Sequence, residues 1–182
     1  FWLLAPRAEA ACDPDVPPLM DGGSVTCTGT DETGFDASAN TNITITTSGT
    51  TVLDDSGPED AAIEVGSDNS VTLGADSTVN VVGPGGVGVL GVDDNIVTLD
   101  GTINVDVVNG TGVRMRDNTD VAGPPTGTVT NTGAINLNTN GSVGIDAHNN
   151  YEILNDQTGT ITVTGDDSVG IRGVDDLSLI HI

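Results

Sequence analysis

The sequence predicts an all-β chain, a right-handed parallel β-helix of about five coils of 24–26 residues behind a degenerate first coil. Three observations predict it. Aliphatic residues recur in three columns at fixed spacing. Each column has the apolar-x-apolar pattern of a strand with one buried face. The segments between columns are rich in Gly, Asp, Asn and Pro, and no useful length has a helical period.

The first column is Val79, Ile103, Ile135 and Ile161, each followed two residues later by Val81, Val105, Leu137 or Val163. The second is Ile63, Val89, Val113, Ile145 and Ile171, each preceded by a small residue: Ala62, Gly88, Gly112, Gly144 or Gly170. The third is Val71, Val97, Val129 and Ile153. From first to second column the step is ten residues in all four cases, and the full periods are 26, 24, 32 and 26. The long period contains Val121-Ala-Gly-Pro-Pro-Thr-Gly127, a turn-rich insertion expected to loop out without disturbing the stack. Stacked coils put like residues above like, each coil adding about 4.8 Å along the axis. A propeller blade needs about 40 residues, and a leucine-rich repeat needs a Leu-x-x-Leu-x-Leu pattern absent here.

The chain divides into four segments. Residues 1–10 read as the remnant of a secretory signal: an apolar end, Phe1 to Ala5, then Ala8-Glu9-Ala10 in the small-x-small pattern that puts cleavage before Ala11. Residues 11–60 are expected to be an N-terminal cap with a disulfide loop and a degenerate first coil, with Ile43, Ile45 and Leu53 facing inward. Residues 61–176 carry the repeats. Residues 177–182, Leu-Ser-Leu-Ile-His-Ile, abandon Gly and Asp and resemble read-through of adaptor DNA, so they are expected to be an aberrant, non-native tail. Cys12 and Cys27 are the only cysteines, and in an exported protein such a pair is expected to form a disulfide.

Charge narrows the partners. Twenty-seven acidic residues face four arginines and no lysine, a net charge of −23. Nucleic acid and anionic membrane surfaces both need clustered cations, so neither is an expected partner. No stretch is long and apolar enough to form a transmembrane segment.

The most regular polar feature is the turn after the second column. Asp68, Asp94, Asn118, Asn150 and Asp176 lie five residues past successive column members, preceded by Ser67, Asp93, Asp117, Asn149 and Asp175. Stacking would align them as an Asx ladder whose expected role is structural, capping turn amides. Calcium is the one cofactor the ladder suggests, because hard cations take oxygen ligands. The calcium-binding nonapeptide is absent, since Gly85-Gly-Val-Gly88 continues with Val89 and Leu90. No other metal or cofactor is expected.

No catalytic residue is assigned and no enzyme activity is expected of this fragment. Adjacent acids such as Asp54-Asp55, Asp93-Asp94 and Asp166-Asp167 sit in turns or point to opposite faces if extended. Sugar rings would find no aromatic platform, with only Phe35 and Tyr151 beyond the signal. His148 reads as a solvated turn residue. Arg114, Arg116 and Arg172 are expected to face solvent and pair with neighbouring Asp.

The signal remnant, the stretch Val25-Thr-Cys27-Thr-Gly-Thr, and coils such as Asn131-Thr-Gly-Ala-Ile135 and Gly141-Ser-Val-Gly-Ile145 together resemble the passenger region of Gram-negative autotransporters. Thr158-Gly-Thr-Ile161 followed by Ser168-Val-Gly-Ile171 carries the same likeness, which covers residues 5–176. The resemblance implies export, passage through the protein's own C-terminal outer-membrane barrel, and display at the bacterial surface or release outside the cell. It implies a stalk or adhesin acting in cell adhesion or autoaggregation, with ligands on host cells, matrix or glycan surfaces. Two other classes compete. One is a secreted, polysaccharide-acting β-helix enzyme with catalytic coils outside this fragment. The other is a filamentous adhesin or surface-layer protein without a barrel.

Overall fold

Alternating Val, Ile and Leu give each short segment one apolar edge, and a chain of such segments buries its edges by coiling upon itself. A computed structural model describes residues 11–13, 20–31, 34–55, 61–116, 126–149, 151–174 and 178–181, and every regular element in it is a strand. The chain runs through β1 (Ala11–Asp13), β2 (Ser24–Asp31), β3 (Phe35–Ala37), β4 (Thr44–Asp55), β5 (Ala61–Val65) and β6 (Ser70–Leu73). It continues through β7 (Thr78–Val81), β8 (Val87–Val92), β9 (Ile96–Leu99), β10 (Thr102–Val105), β11 (Thr111–Arg116) and β12 (Gly127–Asn131). The last coils are β13 (Ala134–Leu137), β14 (Val143–His148), β15 (Tyr151–Asn155), β16 (Thr160–Val163), β17 (Val169–Val174) and β18 (Ser178–His181).

These strands form a parallel β-solenoid of about five turns with three faces. The first face stacks the second half of β4 with β7, β10, β13 and β16. The second face is a sheet of its own, in the order β17-β14-β11-β8-β5-β3. The third stacks β2, the first half of β4, β6, β9, β12, β15 and β18. Long β4 turns the corner between the third and first faces and joins them into one sheet.

The three aliphatic columns are the observed register. Val79, Ile103, Ile135 and Ile161 are successive Cα partners on the first face. Ile63, Val89, Val113, Ile145 and Ile171 are partners on the second. Val71, Val97, Val129 and Ile153 are partners on the third. The pairing survives the 32-residue period, so the insertion leaves the stack undisturbed; residues 117–125 themselves lie outside the described ones.

The small residue before each second-column position has a steric cause. A Cβ on Gly112 would stand 2.6 Å from the carbonyl oxygen of Gly144 in the next coil, and one on Gly88 would stand 2.5 Å from that of Gly112. From Gly88 onward a residue with no side chain lets adjacent coils close here, and in the first of these coils the small Ala62 takes the position.

The columns reach further towards the N-terminus than the spacing indicated. Leu53 continues the first column as the partner of Val79, Phe35 the second as the partner of Ile63, and Ile45 the third as the partner of Val71. Ile43, Ile45 and Leu53 are buried, as expected of inward residues. Leu53 precedes Ile63 by the same ten residues as in the later coils, and the register shift between Cys27 and Gly29 falls one coil earlier, in β2. β1 then runs antiparallel along β2, with Cys12 opposite Cys27 and the two joined by a disulfide. That ribbon covers the outer edge of β2, a backbone edge otherwise open to pairing.

Residues 178–181 fall into place as β18, with Leu179 paired to Ile153 at the third-column position. In the last full coil, by contrast, the inward positions are open: Val163 is 42% and Val169 41% exposed.

Candidate functional site

The Asx turn has a backbone reason for its residue type. Asp68 and Asp94 adopt φ of 60° and 51°, and their neighbours Asp93 and Asn149 adopt 41° and 24°. Asn and Asp enter this left-handed region more readily than other side-chain-bearing residues. Turns of adjacent coils are then tied through the main chain. The Asp68 N–H donates to the Asp93 carbonyl at 3.2 Å, and the Asp93 N–H to that of Arg116 at 2.8 Å. The Asn149 N–H donates to the Val174 carbonyl at 3.0 Å, and the Thr126 hydroxyl donates to the Asp94 carboxylate. Asn118, Asn150 and Asp176 lie outside the described residues, as do Ala8 and Ala10 of the signal; Ala11 opens β1. Among the described residues no three His, Cys, Asp or Glu side chains form a group that could hold a metal ion.

A different polar ladder, inside the corner, was not anticipated. Asn69 and Asn95 occupy equivalent positions two residues before the third column, and both are buried. Asn69 Oδ1 accepts from the Ile43 N–H at 3.0 Å, and Asn95 Oδ1 from the Asn69 N–H at 2.9 Å. The Asn95 amide also donates to the Gly66 and Val92 carbonyls, at 2.9 and 2.6 Å. One coil on, the position is Gly127, and beyond it Tyr151. The Tyr151 ring lies where a Cβ on Gly127 would stand. Its hydroxyl crosses that coil to accept from the Asn95 N–H at 3.3 Å. Burial pushes the Tyr151 pKa up to about 12. The sequence does carry the signal, as Asn-x-Val twice and Tyr-x-Ile at one column offset, but it competes with a more conspicuous run of aspartates.

The described arginines also gather. On the outer side of the second face, one residue past the column, Arg114, Asp146 and Arg172 are successive partners. Arg172 grips the Asp146 carboxylate with two hydrogen bonds, Nε to Oδ1 at 2.8 Å and Nη2 to Oδ2 at 2.6 Å. Arg114 Nε stands 3.4 Å from Oδ2, and its Nη2 donates to the Thr111 hydroxyl at 2.7 Å. His148, expected as a solvated turn residue, is 40% exposed but ends β14, with Nε2 3.7 Å from Asp146 Oδ1.

Two arginines and a histidine therefore converge on one carboxylate that is 2% exposed; Arg114 and Arg172 pair with an Asp as expected, and it is the same one. Burial alone would raise the Asp146 pKa. The bonds and charge of Arg172, with His148 and Arg114 behind, outweigh it and hold the group below its usual range. Burial lowers the Arg114 pKa against the pull of Asp146. Beside this cluster runs a groove of about 830 Å³, lined by Glu64, Leu90, Val108, Asn109, Arg114 and Arg116. It offers charges of both signs, from Glu64, Arg114 and Arg116, in a mainly polar lining that also includes Leu90 and Val108.

These features define a parallel β-solenoid with an ionic cluster on one face. No protein-family profile, no curated protein and no solved structure matches the chain.

Proposed function

We propose that the chain is the passenger of a Gram-negative autotransporter, exported and displayed at the cell surface by its own C-terminal outer-membrane barrel. It acts there as a stalk and adhesin and has no catalytic activity of its own. The observation that carries this reading is the uninterrupted parallel stack. A solenoid in which each coil contacts only its neighbours presents long, rigid outer faces for contact with a surface. The Cys12–Cys27 disulfide fits an oxidising, extracytoplasmic environment. The groove at Arg114 and Arg116 is a recess that could receive part of a host-cell, matrix or glycan ligand.

The test is display. The chain, fused to an autotransporter barrel in a Gram-negative host, is expected to reach the outside, where added protease removes it, and to make cells adhere or clump. Cells carrying the barrel alone supply the baseline. Display without any gain in adhesion to cells, matrix or glycans would contradict the adhesin role. Release of new sugar ends from a polysaccharide panel would move the chain to the secreted-enzyme class.

A further inference from the structure

The outer side of the third face is a lattice of hydroxyl groups. Thr26, Thr46, Thr72, Thr98 and Thr130 are successive strand partners and form an unbroken threonine rank across five strands. Two residues earlier, Ser24, Thr44, Ser70 and Thr128 form a second rank, interrupted between β2 and β12 only by Ile96. In a chain of net charge −23, neither rank holds a charged residue from β2 to β12; on β15 the ranks end in Glu152 and Leu154. The second face, by comparison, carries Glu64, Arg114, Asp146 and Arg172 on its outer side.

The hydroxyls are also uncommitted. On the first face the equivalent outward residues satisfy one another: Asn104 donates to Asn80 and Asn136 to Asn104, each at 3.0 Å. Among the described residues, Thr46, Thr72, Thr98 and Thr130 make no side-chain hydrogen bond to another protein group. Their partner is therefore water.

We propose that this face binds ice. Parallel pairing sets the hydroxyls about 4.8 Å apart across strands and about 6.7 Å apart along them, which is two residues of rise. This two-dimensional grid is close to the oxygen repeats of the prism face of hexagonal ice. The register runs from Thr44 to Thr130 without a bulge, so the grid does not drift. Stacked side-chain ladders hold such a sheet flatter than an open one. Each β-branched threonine is stiff about its first side-chain torsion, so little freedom remains to be lost on adsorption. Methyl and hydroxyl groups together suit water held in a lattice, whereas a carboxylate or guanidinium would impose its own hydration shell. Flat polysaccharide is the poorer fit, because among the described residues the aromatics are Phe35 and Tyr151 and both are buried.

The test uses the intact, disulfide-bonded chain at temperatures just below freezing. The chain is expected to shape growing ice crystals and arrest recrystallisation. Thr72→Lys and Thr98→Lys, in the middle of the rank, are expected to abolish both effects, while Thr102→Lys on the first face keeps them. Circular dichroism checks that each variant retains the strand spectrum. Uptake of fluorescently labelled unmodified chain into a single growing ice crystal tests the idea without any substitution. Exclusion from that crystal would overturn the proposal. So would full activity in the two rank variants, or equal loss in Thr102→Lys.

Discussion

At the scale of single residues, two side chains report on the fold. Tyr151 is the only tyrosine in the chain, so its ionisation can be followed by absorbance without interference from others. Its pKa is raised to about 12 when folded, against about 10 unfolded. A raised pKa contributes stability that is complete below the unfolded value and lost as pH rises through the folded one. The tyrosinate band is therefore expected near pH 12 in the native protein and near pH 10 in denaturant. A native titration near 10 would mean that the ring is not buried against Gly127. Tyr151→Phe is expected to cost about 1–3 kcal/mol, because the Asn95 N–H loses its acceptor.

Asp146 has the opposite sign. Its folded pKa is depressed, so its contribution is present above the unfolded value of about 4 and is lost as pH falls through the folded one. Asp146→Ala is expected to cost about 1–3 kcal/mol at neutral pH, moderated because Arg172 is 48% exposed. The loss should shrink in acid, as urea titrations at two pH values would show; an unchanged loss would contradict the ion cluster. Neither site stood out in the sequence. Arg114, Asp146 and Arg172 are separated by 32 and 26 residues, and only the column register reveals that they touch.

At the scale of elements, the sequence was most legible where one residue type had to repeat. Aliphatic columns must stack to stay dry, and glycine recurs before the second column at Gly88, Gly112 and Gly144 because a carbonyl of the next coil occupies the space of its Cβ. Gly144→Ala should force the carbonyl of Gly170 away from β14 and cost about 1–3 kcal/mol by overpacking. A melting temperature unchanged from the parent would show that the coils are further apart at this corner than described. Legibility failed where the position is constant and the residue is not. On the third face the inward partners run Leu73, Leu99, Asn131 and Asn155, apolar in two coils and amide in two. Asn131 donates to Asn155 at 2.7 Å, so the change makes sense only when the two coils are adjacent. In β2 the shift at Cys27 to Gly29 likewise breaks the spacing while preserving the stack. The Asx turn was legible as a pattern, but its cause is a left-handed backbone.

At the scale of the whole molecule, stability is expected to be a sum over coils and their neighbour contacts, with the disulfide anchoring one end. Replacing Cys12 and Cys27 by Ser opens a loop of 15 residues and should cost about 3 kcal/mol, read from urea unfolding. The cost should fall on the first coil, with amides of β2 and β4 exchanging faster and those of β10 and β13 unchanged. The central claim is that chain segments 24 to 32 residues apart lie side by side, parallel and in register, and cross-linking tests it most directly. Cysteines replacing Asn104 and Asn136 occupy partner positions on adjacent strands, with an expected Cα separation of about 4.8 Å, within disulfide range. Mild oxidation should join them with the strand spectrum intact, while cysteines at Asn104 and Asn138, offset by one repeat of the pleat, should remain free thiols. Equal cross-linking of both pairs, or none of either, would contradict the solenoid.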